Sequence, residues 1–194
     1  MIIRYVDLLK STKRSGMDDL IRYMTEETDF FKAPASSHNH GMFEGGLLKH
    51  SLEVYDNLLK INSLFNVPCK PDTAIIVSLL HDLCKANFYK PDTRNVKNPD
   101  GTWSQVPYYS IDDKLPLGHG EKSVIIAQQY IRLNIDEMMA IRWHMGGFDD
   151  AARAYSGGFA LTSAMNMYPL VTALHMADIS LKLKNNGGKD NVSM

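Results

Sequence analysis

Two cysteines, Cys69 and Cys84, are all that the 194 residues contain. They form no CxxC pair, and two thiols can build neither a disulfide framework nor a thiolate zinc cage. Charge of one sign is also missing: 21 Lys and Arg stand against 22 Asp and Glu. No basic excess argues for wrapping long duplex nucleic acid, although a short or locally bound nucleotide stays open. No apolar run approaches the ~20 residues that span a bilayer. The opening MIIRYVDLLK mixes charges into its first turns and so lacks a signal-peptide core. The expectation is a cytoplasmic protein without a membrane partner. At 44% hydrophobic and 22% charged residues the composition is that of a globular protein, most simply a single domain over residues 1–194.

What is present is mostly helical periodicity. Ile2–Lys10 and Met17–Thr28 read as scaffold helices within an N-terminal part, residues 1–30, with apolar faces on Ile3, Val6 and Leu9 and on Met17, Leu20, Ile21 and Met24. Phe30–Gly46, with two histidines, a proline and several glycines, reads as an ordered loop whose His38 and His40 line a pocket, cap a helix or lie exposed. Leu47–Phe65 is a long amphipathic helix on which His50 shares the stripe of Leu47, Val54 and Leu58. Pro71 suits a helix start, and Thr73–Leu83 follows as a buried helix.

That buried helix ends abruptly in chemistry. In SLLHDLCK, an apolar run stops at His81-Asp82, and Lys85 follows three residues later. Burying an imidazole and a carboxylate is costly unless something compensates, and a divalent cation would take both as ligands. Downstream, TRNVK, NPDG and TWSQVPYY predict a β-hairpin at about 93–109 with Asn98–Gly101 at its tip. It is either a flap over the site or a surface ornament. Glu121–Asn134 is helical and opened by Gly118-His119-Gly120, so the His119 ring is free to enter a cavity. Ile135–His144 follows, with Asp136 near its N-cap. Asp149–Met167 mixes a short helix with loop, Pro169–Lys184 is helical, and the polar tail 185–194 is expected to fray. On the last helix Asp178 shares the stripe of Leu170, Leu174 and Leu181, and a carboxylate there is rarely unpaired. His175 lies three residues earlier, as a packed core histidine, a support or a ligand.

His50, His81, Asp82 and Asp178 thus stand at apolar helix faces with no charged neighbour in sequence to satisfy them. Two imidazoles and two carboxylates suit a hard-to-borderline divalent metal with coordination positions left open. This ordered series, with GGLLKHSLEV around His50, LLHDLCK at the dyad and LHMADISL around Asp178, resembles the HD-domain superfamily of metal-dependent phosphohydrolases. The resemblance runs from about His38 to Leu183. It implies an all-α, HD-domain-like helical bundle carrying the small inserted hairpin. It also implies hydrolysis of a phosphomonoester or phosphodiester of a nucleotide or short nucleic acid by a metal-bound hydroxide.

Some members of the superfamily add a lysine three residues after the dyad and two further histidines that hold a second metal. Lys85, His119 and His144 occupy those positions, with Asp82 as the bridge. The implied ligands are His50, His81, Asp82, His119, His144 and Asp178, and the implied catalytic groups are Asp82, Lys85 and His119. One or two divalent ions are expected, with manganese, iron, magnesium, nickel and zinc not distinguished. This pattern is similar to the phosphodiesterase and nuclease branches, and HNHGMFEGGLLKHS is similar to HD domains of certain bacterial exoribonucleases and plasmid-transfer proteins. The family often has glycine where Cys84 stands, so the sulfur is either a metal neighbour or a small buried hydrophobe. Tyr108, Tyr109 and Trp143 are candidates to stack on a base or to fill the core. The expected partner is a nucleotide or short oligonucleotide, and association of copies stays open. The competing reading is a metal- and nucleotide-binding sensor of the same fold without turnover.

Overall fold

The computed structural model describes residues 1–37 and 41–181. His38, His40 and the tail 185–194 lie outside the described residues. Helix α1 (Ile2–Ser11) and α2 (Met17–Arg22), which runs on as a π-helical turn over Tyr23–Glu27, pack at one end of the core. The face of α1 differs from the expected one: Tyr5 and Leu9 are buried, whereas Ile3 is 78% exposed. Tyr5 wins because its ring packs on Phe30 and Phe31 while its hydroxyl donates to the Leu79 carbonyl, so a large apolar body is buried without an unmet polar tip.

Three helices carry the architecture. Helix α3 (Gly46–Phe65) lies against α4 (Pro71–Leu80) and α9 (Pro169–Ile179). Proline at the first turn starts both α4 and α9, where its missing N–H costs nothing. Every residue from Thr73 to Leu80 is buried, as a helix that is apolar all round requires. It stops at Leu80, not Leu83. The chain turns through His81 and Asp82 and makes a 3-10 turn over Leu83–Lys85, because the His81 Nδ1–H donates to the Ser78 carbonyl (2.8 Å) and Lys85 N to the Asp82 carbonyl (2.9 Å).

Helix α5 (His119–Gln128) and α6 (Ile135–Trp143) complete the layer around α9. Helix α5 starts two residues earlier than expected and ends well before Asn134. The Gln128 side chain accepts from Leu133 N (3.0 Å), tying off the chain in a tight return that still buries Ile131. Helix α6 is opened by Asn134 rather than Asp136, in a reciprocal capping box with Glu137 (3.0 Å each way). Buried Glu137 also accepts from Thr73 Oγ1 (2.8 Å) and binds the Arg14 guanidinium, joining α4, α6 and the loop after α1.

A 3-10 turn at Gly146–Phe148, the short α7 (Asp150–Arg153) and α8 (Gly157–Met167) cover Trp143 and Val171 in a second, smaller apolar cluster. The insertion is a two-stranded antiparallel ribbon of β1 (Tyr89–Lys97) and β2 (Trp103–Ile111), longer at its base than 93–109. Pro91 and Pro107 are tolerated because each strand of a two-stranded ribbon has an unpaired edge. The tip closes with Asn98 N donating to the Thr102 carbonyl (2.8 Å) and Gly101 left-handed at φ 88°. Among the described residues no helix is long and apolar enough to cross a membrane.

Candidate metal centre

The C-terminal ends of α4, α6 and α9 and the N-terminal parts of α3 and α5 meet around Asp82. It sits just past α4 with φ −105° and ψ 20°, off the helical path, so its carboxylate turns from the core toward α3, α5 and α9. On one side, His50 Nε2 from α3 lies 3.1 Å from His81 Nε2, 3.4 Å from Asp82 Oδ2 and 3.3 Å from Asp178 Oδ1. His81 Nε2 lies 3.3 Å from the same Asp82 oxygen. The His50, His81 and Asp82 side chains thus present three donor atoms to one another, and Asp178, almost 130 positions after His50, joins them through its contact with His50 Nε2.

The histidine tautomers follow from the backbone. A carbonyl only accepts, so His81 Nδ1 donates to Ser78 O (2.8 Å) and His144 Nδ1 donates to Ile141 O (2.7 Å). Both rings thereby present Nε2 to Asp82, as a neutral metal-binding imidazole must. His144 Nε2 is buried, makes no hydrogen bond and stands 3.6 Å from Asp82 Oδ1. An orphaned buried ring nitrogen, and two ring nitrogens facing each other at 3.1 Å, both call for a proton or a cation between the donors. The residues present fit a divalent cation, and His50, His81 and Asp82 form a compact donor group for one.

On the other side of Asp82, Oδ1 accepts from His119 Nε2 (2.8 Å), while Oδ2, the oxygen that meets His50 and His81, also accepts from Lys85 Nζ (2.7 Å). His119 is the first residue of α5. Gly120 beside it lets α5 approach α6 so closely that a Cβ would stand 2.2 Å from the Arg142 carbonyl. The charge balance is lopsided. Burial disfavours the Asp82 carboxylate, but Lys85, His81, His119 and His144 outweigh it and hold its pKa well below the usual range. Burial likewise opposes the charges of His119 and Lys85. Cys84 and Asp82 nevertheless push His119 up to about 10, and Asp82 raises Lys85 so that it stays protonated. Burial lowers the His144 pKa and keeps that ring neutral.

A cavity of about 340 Å³ opens beside this second side, lined by Lys85, Phe88, His119 and Lys122 among others. Phe88 lies under Lys122 Nζ (4.9 Å) and against Tyr89. Tyr89, the first residue of β1, lies within electrostatic range of Lys85 and Asp82. So it is the hairpin's base that adjoins the centre. Trp103, 67% exposed at the far end, is about 26 Å along the ribbon at strand spacing.

The other sequence candidates fall elsewhere. Trp143 is core, stacked under Arg142 (3.9 Å). Tyr108 lies on the ribbon with its hydroxyl donating to Asp92 Oδ2 (3.3 Å), and Tyr109 packs toward Tyr89 (6.5 Å). His175 Nδ1 donates to the His144 carbonyl (2.7 Å), supporting the backbone that carries His144. Gly146, left-handed at φ 55°, makes room for that ring, since a Cβ would come within 2.7 Å of it. Phe88, Tyr89 and Lys122 had no periodic or motif signal that marked them, because loop and ribbon residues reach the cavity only through the fold.

A family model described as HD domain matches residues 47–182, which contains every donor named above. The chain is similar to a dihydroneopterin 2',3'-cyclic phosphate phosphodiesterase of Methanocaldococcus jannaschii, 31% identical over 85 residues, covering 42% of this chain. It spans 32% of that relative's length. No solved structure matches the chain. With a family match over most of its length, the chain belongs to the HD domain family.

Proposed function

We propose that this chain is a metal-dependent phosphohydrolase that cleaves a phosphodiester or phosphomonoester of a nucleotide or short oligonucleotide. The convergence of His50, His81, Asp82 and Asp178 around His50 Nε2, at 3.1–3.4 Å, carries this reading. These four hold the first divalent cation, and Asp82 is shared with a second position formed by His119 and His144. When bound, such a cation polarises a phosphoryl oxygen and acidifies coordinated water toward neutral pH.

The chain's own residues do the rest. Lys85 stays protonated beside Asp82 and faces the cavity, where its charge offsets the negative charge that builds on phosphoryl oxygens. His119, at the cavity rim with its side chain 29% exposed, puts a second-position donor next to the space where a phosphate would enter. The 340 Å³ cavity lies in the size range of small-ligand sites and offers the Phe88 ring to the organic part of the substrate. Phosphodiester cleavage is the first choice because the similar archaeal protein is a cyclic phosphate phosphodiesterase.

A panel of phosphomonoesters, linear dinucleotides and cyclic phosphodiesters, run with magnesium, manganese, iron, nickel and zinc in turn, tests the proposal. Turnover of at least one phosphate ester is expected, and Asp82→Ala abolishes both turnover and bound metal. Metal binding without any turnover across the panel would favour the sensor reading. A wild-type protein that binds no divalent ion would sink both.

A further inference from the structure

Asp82 divides its neighbours between two sides, and the more open side contains a sulfur. Cys84 is held in the 3-10 turn, where its N–H donates to Ser123 Oγ of α5 (3.0 Å). That bond sets the thiol against the first turn of α5. Its Sγ lies 3.4 Å from His119 Nδ1 and 3.7 Å from His119 Nε2, and His119 Nε2 lies 2.8 Å from Asp82 Oδ1. Sulfur, ring nitrogen and carboxylate oxygen are all within 4.8 Å of one another.

Those separations have a meaning in coordination chemistry. A thiolate binds zinc at ~2.3 Å and an imidazole at ~2.0–2.1 Å, so near-tetrahedral angles place the two donors roughly 3.4–3.6 Å apart. The observed sulfur–nitrogen distances bracket that span. An independent mark points to the same place. His144 Nε2, fully buried and without a hydrogen-bond partner, stands 3.6 Å from the very oxygen that His119 meets. A cysteine placed only for packing would end among hydrocarbon, whereas this one ends on an imidazole edge at a cavity wall.

We propose that Cys84 is a thiolate ligand of the second cation position, beside His119 and Asp82, and that it selects a thiophilic ion there. The inference rests on the two-cation reading above. On binding, the S–H bond is exchanged for a sulfur–metal bond and the proton leaves to water. Around the first position the donors are only imidazole nitrogen and carboxylate oxygen, a mixed set with no soft donor. Around the second, sulfur favours zinc, cobalt(II) or ferrous iron over magnesium and manganese. The centre is thus built for two unlike ions.

Cobalt(II) titration of the metal-stripped full-length chain under anaerobic conditions reads this directly. The wild type is expected to develop a near-ultraviolet sulfur-to-cobalt charge-transfer band worth one thiolate per chain. Cys84→Ser loses that band while keeping the visible bands of cobalt at the first position. Cys69→Ser keeps it, because Cys69 lies just before α4, where burial pushes its thiol up to about 11. Cobalt bound to wild type without the band overturns the thiolate and leaves the phosphohydrolase reading standing. A band lost in Cys69→Ser, or kept in Cys84→Ser, overturns it as well. Should Cys84→Ser fail to fold, X-ray absorption of unaltered zinc-loaded protein decides: a sulfur shell at ~2.3 Å supports the ligand, and a nitrogen and oxygen shell alone refutes it.

Discussion

The two sides of the Asp82 carboxylate are built differently. On one, His50, His81 and Asp178 project from α3, α4 and α9, helices packed against one another in the main core. His81 is fully buried and its ring is pinned to Ser78. On the other, His119 stands at the first residue of α5, partly open to solvent, next to a cavity and a ribbon that touches the core only at its base. Rigid donors with locked tautomers hold an ion in a fixed place. A donor at a helix start beside open space can meet a substrate. The difference teaches that one carboxylate can join a holding site to a working site because each of its oxygens faces a separate set of helices.

Histidine truncations probe that division most severely. His81→Ala is expected to empty the first position and abolish turnover. His119→Ala should retain one ion per chain, lose the second and lower turnover without abolishing it. Metal analysis beside a rate assay separates them, and equal loss of turnover in both variants would erase the distinction between the sides. Lys85→Met tests the cation that lines the cavity while bonded to the oxygen facing His50 and His81: turnover should fall on the order of 10²–10³-fold with metal content unchanged. Loss of metal would move Lys85 from charge compensation to support of Asp82.

A scaffold change sharpens the contrast from outside. Glu137→Gln weakens the charged bonds to Arg14 far from Asp82 and is expected to lower stability by about 2–3 kcal/mol in urea unfolding. The folded fraction should bind metal as wild type does. A last expected effect is on pH. Folding raises the His119 pKa from 6.5 to about 10, so the protonated ring favours the folded state. In metal-stripped protein that contribution is complete below pH 6.5 and is lost as pH rises through 10. Melting temperatures across that range should fall more steeply for wild type than for His119→Gln. Parallel curves would show that the ring carries no such charge.

Much of this could be read in one dimension. The stripes of α3 and α9 are strongly periodic, and a polar group on such a stripe must face the core whatever the tertiary detail, which is why His50 and Asp178 stood out. Helix α4 was legible for the same reason, as an apolar run broken by His81-Asp82. Its end was not, because the His81 side chain competes for the Ser78 carbonyl and stops the ladder early. Ile3 and Tyr5 exchanged places because a hydroxyl found a carbonyl 74 residues away. Glu137, an acidic residue with nothing locally to mark it as buried, is held by Arg14 and Thr73 from other elements.

By itself, then, the order of residues determined the helices, the hairpin and the identity of the polar groups on apolar faces, since 3.6-residue and two-residue periods act over short range. Only the tertiary structure decided which oxygen of Asp82 meets which ring, that the Cys84 sulfur stands at the edge of His119, and that Phe88 and Lys122 wall the cavity. Those relations are set by how helices separated by dozens of residues pack, and no local period encodes a distance between them.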